Sequence, residues 1–365
     1  MEWVEYSNAM FEKYQQARKP FQVTYEMTPF CNFKCNMCYV RLDPEQAKAQ
    51  GETLTTEQWL KIAAESRKMG ASVLEMTGGE AVTRQDFPIL YETFIKMGFL
   101  IHLRTNGYLI NGELLELLKK YKPRRISITL YGASDETYQK VCGVSDGFTV
   151  VTNNILAMRK AGLNVRVIMT VTNDNVQDHD LVKQWGKDHG INISAYGGLF
   201  TPVRSAKRSI EQLQVAIPDD EPDEADLAIQ REIEDRASLM KPFWLCRGFG
   251  AKCCISWDGR MTICNTFTAI WSNPVRDGFE KAYQDLYEKL NQLRRPQECA
   301  SCTYIDLCSA CPSQIYSATG NPEQTCDKIC RIARMRLKKY LRHMKKTRNR
   351  NNDEIITNRC EEGEE

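Results

Sequence analysis

Short apolar runs alternate with stretches of helical period along the first two hundred residues. The strand-like runs span 21–27, 72–77, 99–104, 125–131, 164–171 and 191–197. The helix-like stretches span 56–69, 84–97, 112–121, 147–161 and 176–188. Several of these stretches end at a glycine, which suits the position that follows a helix. Repeated strand–helix units predict an α/β fold with a parallel sheet and right-handed crossovers.

Three cysteines follow the first predicted strand with the spacing Cys31-x-x-x-Cys35-x-x-Cys38. Ligand sites in parallel βα architectures gather at the carboxyl ends of the strands, which is where this loop begins. Iron–sulfur clusters are usually held by four thiolates, so three thiolates predict a four-iron cluster with one iron open to a small molecule. A zinc site is the alternative, but zinc favours paired CxxC or Cys/His sets with four closed ligands.

Other predicted strand ends carry polar groups that suit a bound ligand. Gly78, Gly79 and Glu80 follow the second strand, Asn106 follows the third, and Thr129 lies at the end of the fourth. Glycines there allow the backbone to approach a ligand closely, and Glu80 supplies a carboxylate. For Asn106 and Thr129, a plain turn and a ligand contact are about equally favoured.

The cysteine loop, the Gly-Gly-Glu run and the Thr-Asn-Gly turn together resemble the radical S-adenosylmethionine (radical SAM) superfamily. This resemblance implies a partial (βα)6 TIM barrel and a [4Fe-4S] cluster whose open iron binds SAM. It also implies that Gly78, Gly79 and Glu80 bind the amino group of SAM, and that Asn106 and Thr129 contribute to the same site. Arg166, in the fifth strand, is a further candidate for this site, with an ion-paired surface role as the alternative.

A second cysteine-rich region follows near the end of the chain. Its members are Cys246, Cys264, the run Cys299-x-x-Cys302-x5-Cys308-x-x-Cys311, and then Cys326 and Cys330, with Gly259 separated from Cys264 by four residues. The order and spacing resemble the SPASM domain, which binds two auxiliary four-iron clusters, and eight thiolates close two such clusters.

The SPASM resemblance also implies which thiolates belong to which cluster. Cys246, Cys264 and Cys311 would hold the first auxiliary cluster, and Cys253 or Cys254 would close it. Cys299, Cys302, Cys308 and Cys330 would hold the second, with Cys326 as the alternative to Cys330. A zinc site stays open for Cys299, Cys302, Cys308 and Cys311 taken in isolation.

Composition places the chain in a reducing compartment. It has 365 residues, 49 of them basic and 47 acidic, so bulk charge gives no reason to expect a nucleic-acid or membrane partner. Fifteen cysteines without an apolar signal segment favour metal ligands in the cytoplasm over disulfides. No run approaches the ~18 consecutive apolar residues of a membrane span.

The motifs and the composition together predict five segments. They are an N-terminal extension (1–20), the radical SAM partial barrel (21–202), an acidic bridging segment (203–241), a small Cys-rich SPASM domain (242–335) and a charged C-terminal helix and tail (336–365).

The resemblance implies an enzyme that cleaves SAM reductively and abstracts a hydrogen atom from its substrate. The run CRGFGAKCCISWDGRMTICNTF is similar to peptide maturases that install thioether or carbon–carbon crosslinks in ribosomal peptides. The implied partners are the peptide and a reductant such as flavodoxin or ferredoxin. A separate leader-binding protein is a further candidate, because only some twenty residues precede the first strand.

Two alternatives remain at this stage. An anaerobic sulfatase-maturating enzyme would carry an aspartate just after the cysteine in the place of Cys264, and this chain has Asn265 there. An amide cannot act as a general base near neutral pH, which disfavours that alternative. A non-enzymatic iron–sulfur electron carrier would need neither an open iron nor the Gly-Gly-Glu run.

Overall fold

The structure is a computed structural model that describes residues 3–203, 210–215, 246, 248–299, 302, 308, 311–327, 329–331 and 333–335. Most of the predicted bridging segment and the whole predicted tail lie outside the described residues. Contacts divide the chain into two compact units. Unit 1 comprises residues 1–215 and 247–292, and unit 2 comprises residues 216–246 and 293–365.

One sheet of eight strands forms the centre of unit 1, in the order β6-β5-β4-β3-β2-β1-β7-β8. The strands are β1 (Gln22–Glu26), β2 (Val73–Thr77), β3 (Leu100–Thr105), β4 (Arg125–Leu130), β5 (Val165–Thr170), β6 (Ile193–Tyr196), β7 (Lys252–Ile255) and β8 (Met261–Thr262). All neighbouring pairs are parallel except β7 and β8. The predicted α/β fold and its six strands are confirmed, each strand within two residues of its expected bounds.

Helices connect the strands. They are α1 (Trp3–Ala17), α2 (Pro44–Gln50), α3 (Thr56–Met69), α4 (Phe87–Lys96), α5 (Gly112–Lys120), α6 (Asp135–Cys142), α7 (Gly147–Lys160), α8 (His179–Asp188), α9 (Pro274–Asp277), α10 (Phe279–Gln292) and α11 (Pro312–Thr319). Helix α3 has the predicted bounds because its ends are coded locally, by a capping box at Thr55 and Gln58 and by left-handed Gly70 (φ 112°). No helix in the described part of the chain is long and apolar enough to span a membrane.

The N-terminal extension contains helix α1, which packs on the amino ends of the strands. Its residues Trp3, Met10, Phe11 and Tyr14 contact a buried cluster of Phe21, Val73 and Ala251. Those three residues lie just before or at the start of β1, β2 and β7, so α1 covers the end of the sheet opposite the cysteine loop.

The two faces of the sheet differ in polarity. Along β4, Ile126, Ile128 and Leu130 are fully buried, whereas Arg125, Ser127 and Thr129 are half-buried. Side chains alternate between faces along a strand, so one face is apolar and packs under helices, and the other is polar. We call the second one, which carries Arg125, Ser127 and Thr129, the polar face.

Strand β7 extends the sheet beyond β1, with Gln22 opposite Lys252. Residues 247–292 therefore pack in unit 1, although the sequence assigns them to the SPASM domain. Helix α10 buries one stripe of apolar side chains here, including Phe279, Tyr283 and Leu286. The segment boundary at residue 242 stays a prediction about a sequence module, which need not coincide with a compact unit.

Candidate functional site

The cysteine loop follows β1 and is held against the end of helix α6. The Lys34 N–H donates to the carbonyl of Cys142 (2.8 Å), and the Asn36 N–H donates to the carbonyl of Val141 (3.0 Å). The Asn36 side chain also donates to Asp174 (2.6 Å). The loop conformation therefore depends on α6, a helix a hundred residues further along the chain.

Backbone N–H groups point at two of the three loop sulfurs. The Phe33 N–H lies 3.3 Å from Cys31 Sγ, and the Arg41 N–H lies 3.3 Å from Cys38 Sγ. The pKa of Cys31 is raised to about 12, mainly by burial and then by repulsion from Glu80. The hydrogen bond from the Phe33 N–H opposes this shift. Donors of this kind stabilise thiolates, the form that binds iron, so the loop fits a cluster.

The third loop sulfur has different neighbours. The pKa of Cys35 lies well above its usual range because of a hydrogen bond with Cys142 and because of burial. Cys142 is fully buried at the end of α6, and no motif in the sequence pointed to it. Among the described residues, no three thiol, imidazole or carboxylate groups converge on a single metal ion. A four-iron cluster needs another arrangement, in which each thiolate binds its own iron.

The two glycines of the Gly-Gly-Glu run pack against the chain that leads into the cysteine loop. The Gly79 N–H donates to the Thr28 carbonyl (2.7 Å), and the Glu80 N–H donates to the Phe30 carbonyl (2.8 Å). A Cβ on Gly79 would lie 2.0 Å from the Phe30 oxygen, and one on Gly78 would lie 2.7 Å from the Thr28 oxygen. The Cβ side of both glycines therefore meets protein backbone, and their contact with a ligand stays a prediction.

Glu80 and Asn106 connect the strand ends to the cysteine loop. Glu80 is buried, and its Oε2 accepts from the Asn106 N–H (2.7 Å). The Asn106 Nδ2 donates to Asn32 Oδ1 (2.8 Å) and lies 3.8 Å from Cys31 Sγ. Burial raises the pKa of Glu80 to about 7, although its hydrogen bonds to Asn106 and Thr105 oppose the shift. The structure therefore brings Glu80, Asn106 and Cys31 together.

Thr129 and Arg166 lie on the polar face in adjacent layers. Thr129 is opposite Ile168 of β5, whereas Arg166 is opposite Ser127. Arg166 is exposed, and its Nη2 donates to Tyr196 Oη (3.3 Å). Arg166 therefore lies one layer further from the cysteine loop than Thr129 does.

Neighbouring Cys253 and Cys254 point to opposite faces of β7, and both are buried. Cys253 is opposite Val23 on the apolar face, and burial raises its pKa well above the usual range. Cys254 is opposite Thr24 on the polar face. It lies near Tyr39, whose pKa is raised first by burial and then by Glu26, with smaller contributions from Cys38 and Cys254.

Asn265 also reaches Tyr39. The Asn265 Nδ2 donates to the Tyr39 hydroxyl over 2.6 Å. This hydrogen bond joins the segment after Cys264 to the segment after Cys38, and sequence spacing gave no signal for it. The residue in the place of the sulfatase-maturase aspartate is therefore a hydrogen-bond donor to the phenol of half-buried Tyr39.

Unit 2 contains a cavity lined by cysteines. Its sulfur-bearing residues are Cys299, Cys302, Cys308, Cys326 and Cys330. The pKa of Cys299 is raised by burial and then by the nearby thiols of Cys308 and Cys330. The structure thus brings together the four cysteines expected for the second auxiliary cluster, with Cys326 beside them. Of the first auxiliary set, Cys264 belongs to unit 1, and Cys246 and Cys311 belong to unit 2.

Comparison with known proteins agrees with the geometry of the cysteine loop. Residues 25–184 match the family model of the radical SAM superfamily. The chain contains a radical SAM domain. This domain implies a four-iron cluster and SAM, and the thiols and N–H donors of the loop fit that pair.

Three similar proteins add to this comparison. The AdoMet-dependent heme synthase of Methanosarcina barkeri is 23% identical over 83% of this chain and 94% of its own length. The antilisterial bacteriocin subtilosin biosynthesis protein AlbA of Bacillus subtilis is 32% identical over 48% of this chain and only 39% of its own length. The crystal structure of Streptococcus suis SuiB bound to precursor peptide SuiA has the same fold (TM-score 0.64, 16% identity, 88% of this chain and 78% of that chain). The protein is a radical SAM enzyme.

Proposed function

We propose that this radical SAM enzyme abstracts hydrogen from a ribosomal peptide and installs a thioether or carbon–carbon crosslink. The observation that carries the enzyme assignment is the set of contacts from Cys31 through Asn106 to Glu80. A peptide substrate is supported by AlbA, whose name refers to subtilosin biosynthesis, and by SuiB, whose structure holds a precursor peptide.

We propose that Cys31, Cys35 and Cys38 hold the cluster, and that Gly78, Gly79, Glu80, Asn106 and Thr129 form the SAM site. Arg166, the further candidate for this site, is left out of the proposal because it lies one layer further from the cysteine loop than Thr129. When bound, the reduced cluster and SAM supply a 5′-deoxyadenosyl radical for hydrogen abstraction. Glu80 would accept a hydrogen bond from the SAM ammonium group, since its carboxylate is beside the loop and is already oriented by the Asn106 N–H. A reductant such as flavodoxin or ferredoxin completes the proposed system. The leader segment of the peptide is bound either by a separate protein or directly by the barrel and tail of this chain.

We further propose two auxiliary clusters in the region 242–335. Cys299, Cys302, Cys308 and Cys330 would hold one of them, an assignment supported by their shared cavity. Cys246, Cys264 and Cys311 would hold the other, closed by Cys254. The position of Cys254 on the polar face supports this choice, because Cys253 points into the packing between sheet and helices.

The decisive experiment measures SAM cleavage and peptide mass together. The anaerobically reconstituted enzyme, with dithionite and SAM, should release 5′-deoxyadenosine. With a short cognate peptide that carries Cys or aromatic residues, sought among neighbouring open reading frames, it should cause a mass loss of two hydrogens. Absence of 5′-deoxyadenosine with full clusters would instead favour an electron carrier.

Sulfatase maturation is the first alternative, and Asn265 argues against it. Its amide donates to Tyr39 and cannot take the proton that is released as a Cys or Ser side chain is oxidised. We expect no formylglycine from a peptide with a sulfatase motif. Formylglycine at a rate comparable with 5′-deoxyadenosine release would overturn the crosslinking proposal.

Heme formation is a second candidate, because the match to the heme synthase covers 94% of that protein. The same reconstituted enzyme should be incubated with an iron porphyrin precursor, and its products should be analysed for heme by absorption and mass. A heme product would favour this candidate, whereas a crosslinked peptide and unchanged porphyrin would favour the peptide substrate.

A further inference from the structure

Three arginines surround Ser127 on the polar face of the sheet. The register places Arg104 of β3 on one side of Ser127 and Arg166 of β5 on the other. Arg125 precedes Ser127 by two residues on β4, so its side chain leaves the same face. Neighbouring strands are about 4.8 Å apart and alternate residues of one strand roughly 7 Å apart, so all three side chains can reach one space.

Within the described part of the chain, these guanidinium groups are only partly neutralised. Arg104 Nε lies 3.0 Å from Glu75 Oε1. The described partner of Arg166 is the neutral hydroxyl of Tyr196. Arg125 Nε is buried and makes no hydrogen bond with any described residue. Burial and then the charges of Arg166 and Arg104 lower the pKa of Arg125, and the charge of Glu75, which is paired with Arg104, only partly opposes this shift.

The remaining ionisable groups of this face do not supply that charge. His102, opposite Arg125, is buried, and its pKa falls to about 4 through burial and then the charge of Arg125, so the ring is neutral near pH 7. Glu26 lies on β1, two strands away from Arg104, and its charge acts on Tyr39. An anion near Ser127 would therefore find a preformed, positively charged site.

We propose that Arg104, Arg125 and Arg166, with the Ser127 hydroxyl, bind a carboxylate of the substrate. A planar carboxylate matches the fork of donors on a guanidinium, and such charge-assisted pairs are among the strongest hydrogen bonds in proteins. Ser127 precedes Thr129 by two residues, so this carboxylate site lies roughly 7 Å deeper in the sheet than Thr129 of the proposed SAM site. The proposal rests on the peptide function and refines it: the peptide carries Asp, Glu or its C-terminus near the residue that loses hydrogen.

The test is a binding experiment with a defined probe. The probe is N-acetyl-L-glutamic acid N-methylamide, and its uncharged control is the corresponding glutamine compound. Both should be titrated calorimetrically into the cluster-loaded enzyme. SAM is present at a saturating concentration, so that the measured heat does not come from binding at the place of the SAM carboxylate. We expect the glutamate probe to bind and the glutamine control to bind at least tenfold more weakly. Equal binding of the two compounds would overturn the proposal.

Two variants at neighbouring positions locate the site. Arg125→Gln should weaken binding of the glutamate probe about tenfold or more, because it removes a charge-assisted hydrogen bond. Arg124→Gln is the matched control, because it removes the same charge just before the start of β4, where the guanidinium of Arg124 stacks over the Trp3 ring, 4.4 Å from its centroid. Equal effects of the two substitutions would refute the assignment.

A measurement on the unmodified sequence covers the case in which Arg125→Gln does not fold. The glutamate probe should slow the reaction of Arg104 and Arg166 with phenylglyoxal at least threefold. The modified residues are identified by peptide mass mapping. Exposed Arg276 is the control and should react at an unchanged rate. Lack of protection would overturn the proposal. Neither assay requires turnover, so missing 5′-deoxyadenosine release would count against the proposed function alone.

Discussion

The two cysteine-rich regions bring their thiols together in different ways. Around Cys31, the neighbours come from distant parts of the chain: Asn106 donates towards its sulfur, and Cys142 ends the helix that holds the loop. In unit 2, Cys299, Cys302 and Cys308 lie within ten residues of one another and line one cavity. The surroundings of the first site therefore depend on distant parts of the chain, whereas three of the four thiols of the second are neighbours in sequence. Substitutions should affect the two sites separately.

Removal of the thiols themselves should have the largest effect. With Cys31, Cys35 and Cys38 changed together to Ala, we expect no 5′-deoxyadenosine and a loss of about a third of roughly twelve irons per chain. The counterpart variant changes Cys299, Cys302, Cys308 and Cys330 to Ala. It should lose a similar amount of iron and still cleave SAM. A reconstituted wild type that holds only four irons, or zinc, would contradict the assignment of auxiliary clusters.

A single methyl group at Gly79 should damage the first site without touching a thiol. Its Cβ would lie 2.0 Å from the Phe30 oxygen, so the backbone that leads into the cysteine loop must move. We expect Gly79→Ala to lower the free energy of unfolding by roughly 2–4 kcal/mol and to lose the iron of the first cluster. Gly197→Ala is the control, because nothing lies within 4 Å of its Cβ position. Equal iron contents in both variants would argue against the dependence of the loop on this turn.

Adjacent cysteines of β7 offer a finer test of the second region. Cys254→Ala should reduce the iron content, since we propose that this thiol closes an auxiliary cluster. Cys253→Ala should keep the iron and cost about 1 kcal/mol of stability, because it removes only a buried, apolar contact. Iron content and urea unfolding should be measured for both variants. Loss of iron in Cys253→Ala alone would show that Cys253, and not Cys254, closes the cluster.

The smallest effect concerns the pH dependence of the cluster-free protein. Glu80 titrates near pH 7 in the folded chain, against about 4.5 when unfolded, so the folded state binds the proton more tightly. Its contribution to stability is present below about pH 4.5 and is lost as the pH rises through 7, by up to about 3 kcal/mol. The free energy of unfolding, measured with urea at pH 5.0 and 7.5, should fall between these pH values in the wild type. It should fall less in Glu80→Gln. The same slope in both proteins would contradict the prediction.

The sequence predicts well what is coded locally. The six strands and the bounds of α3 depend on neighbouring residues, and the structure agrees with them. Three features depend on contacts between distant residues and were missed: the pairing of β7 with β1, the hydrogen bond from Asn265 to Tyr39, and the place of Cys142 beside Cys35. The arginines around Ser127 also required the register of three strands, which no single segment encodes.

The pairing of β1 with β7 limits when the sheet can be completed during synthesis. Gln22 meets Lys252, a partner 230 positions later in the chain (252 minus 22). At about 5–20 residues per second, the ribosome needs roughly 10 to 50 s to deliver that partner after β1 has emerged. Meanwhile β1 presents an open edge, the kind of surface that recruits other strands. We therefore expect the sheet to be completed slowly and late in synthesis. Until residue 255 has left the ribosome, binding of a chaperone to the nascent chain should reduce wrong pairing of β1.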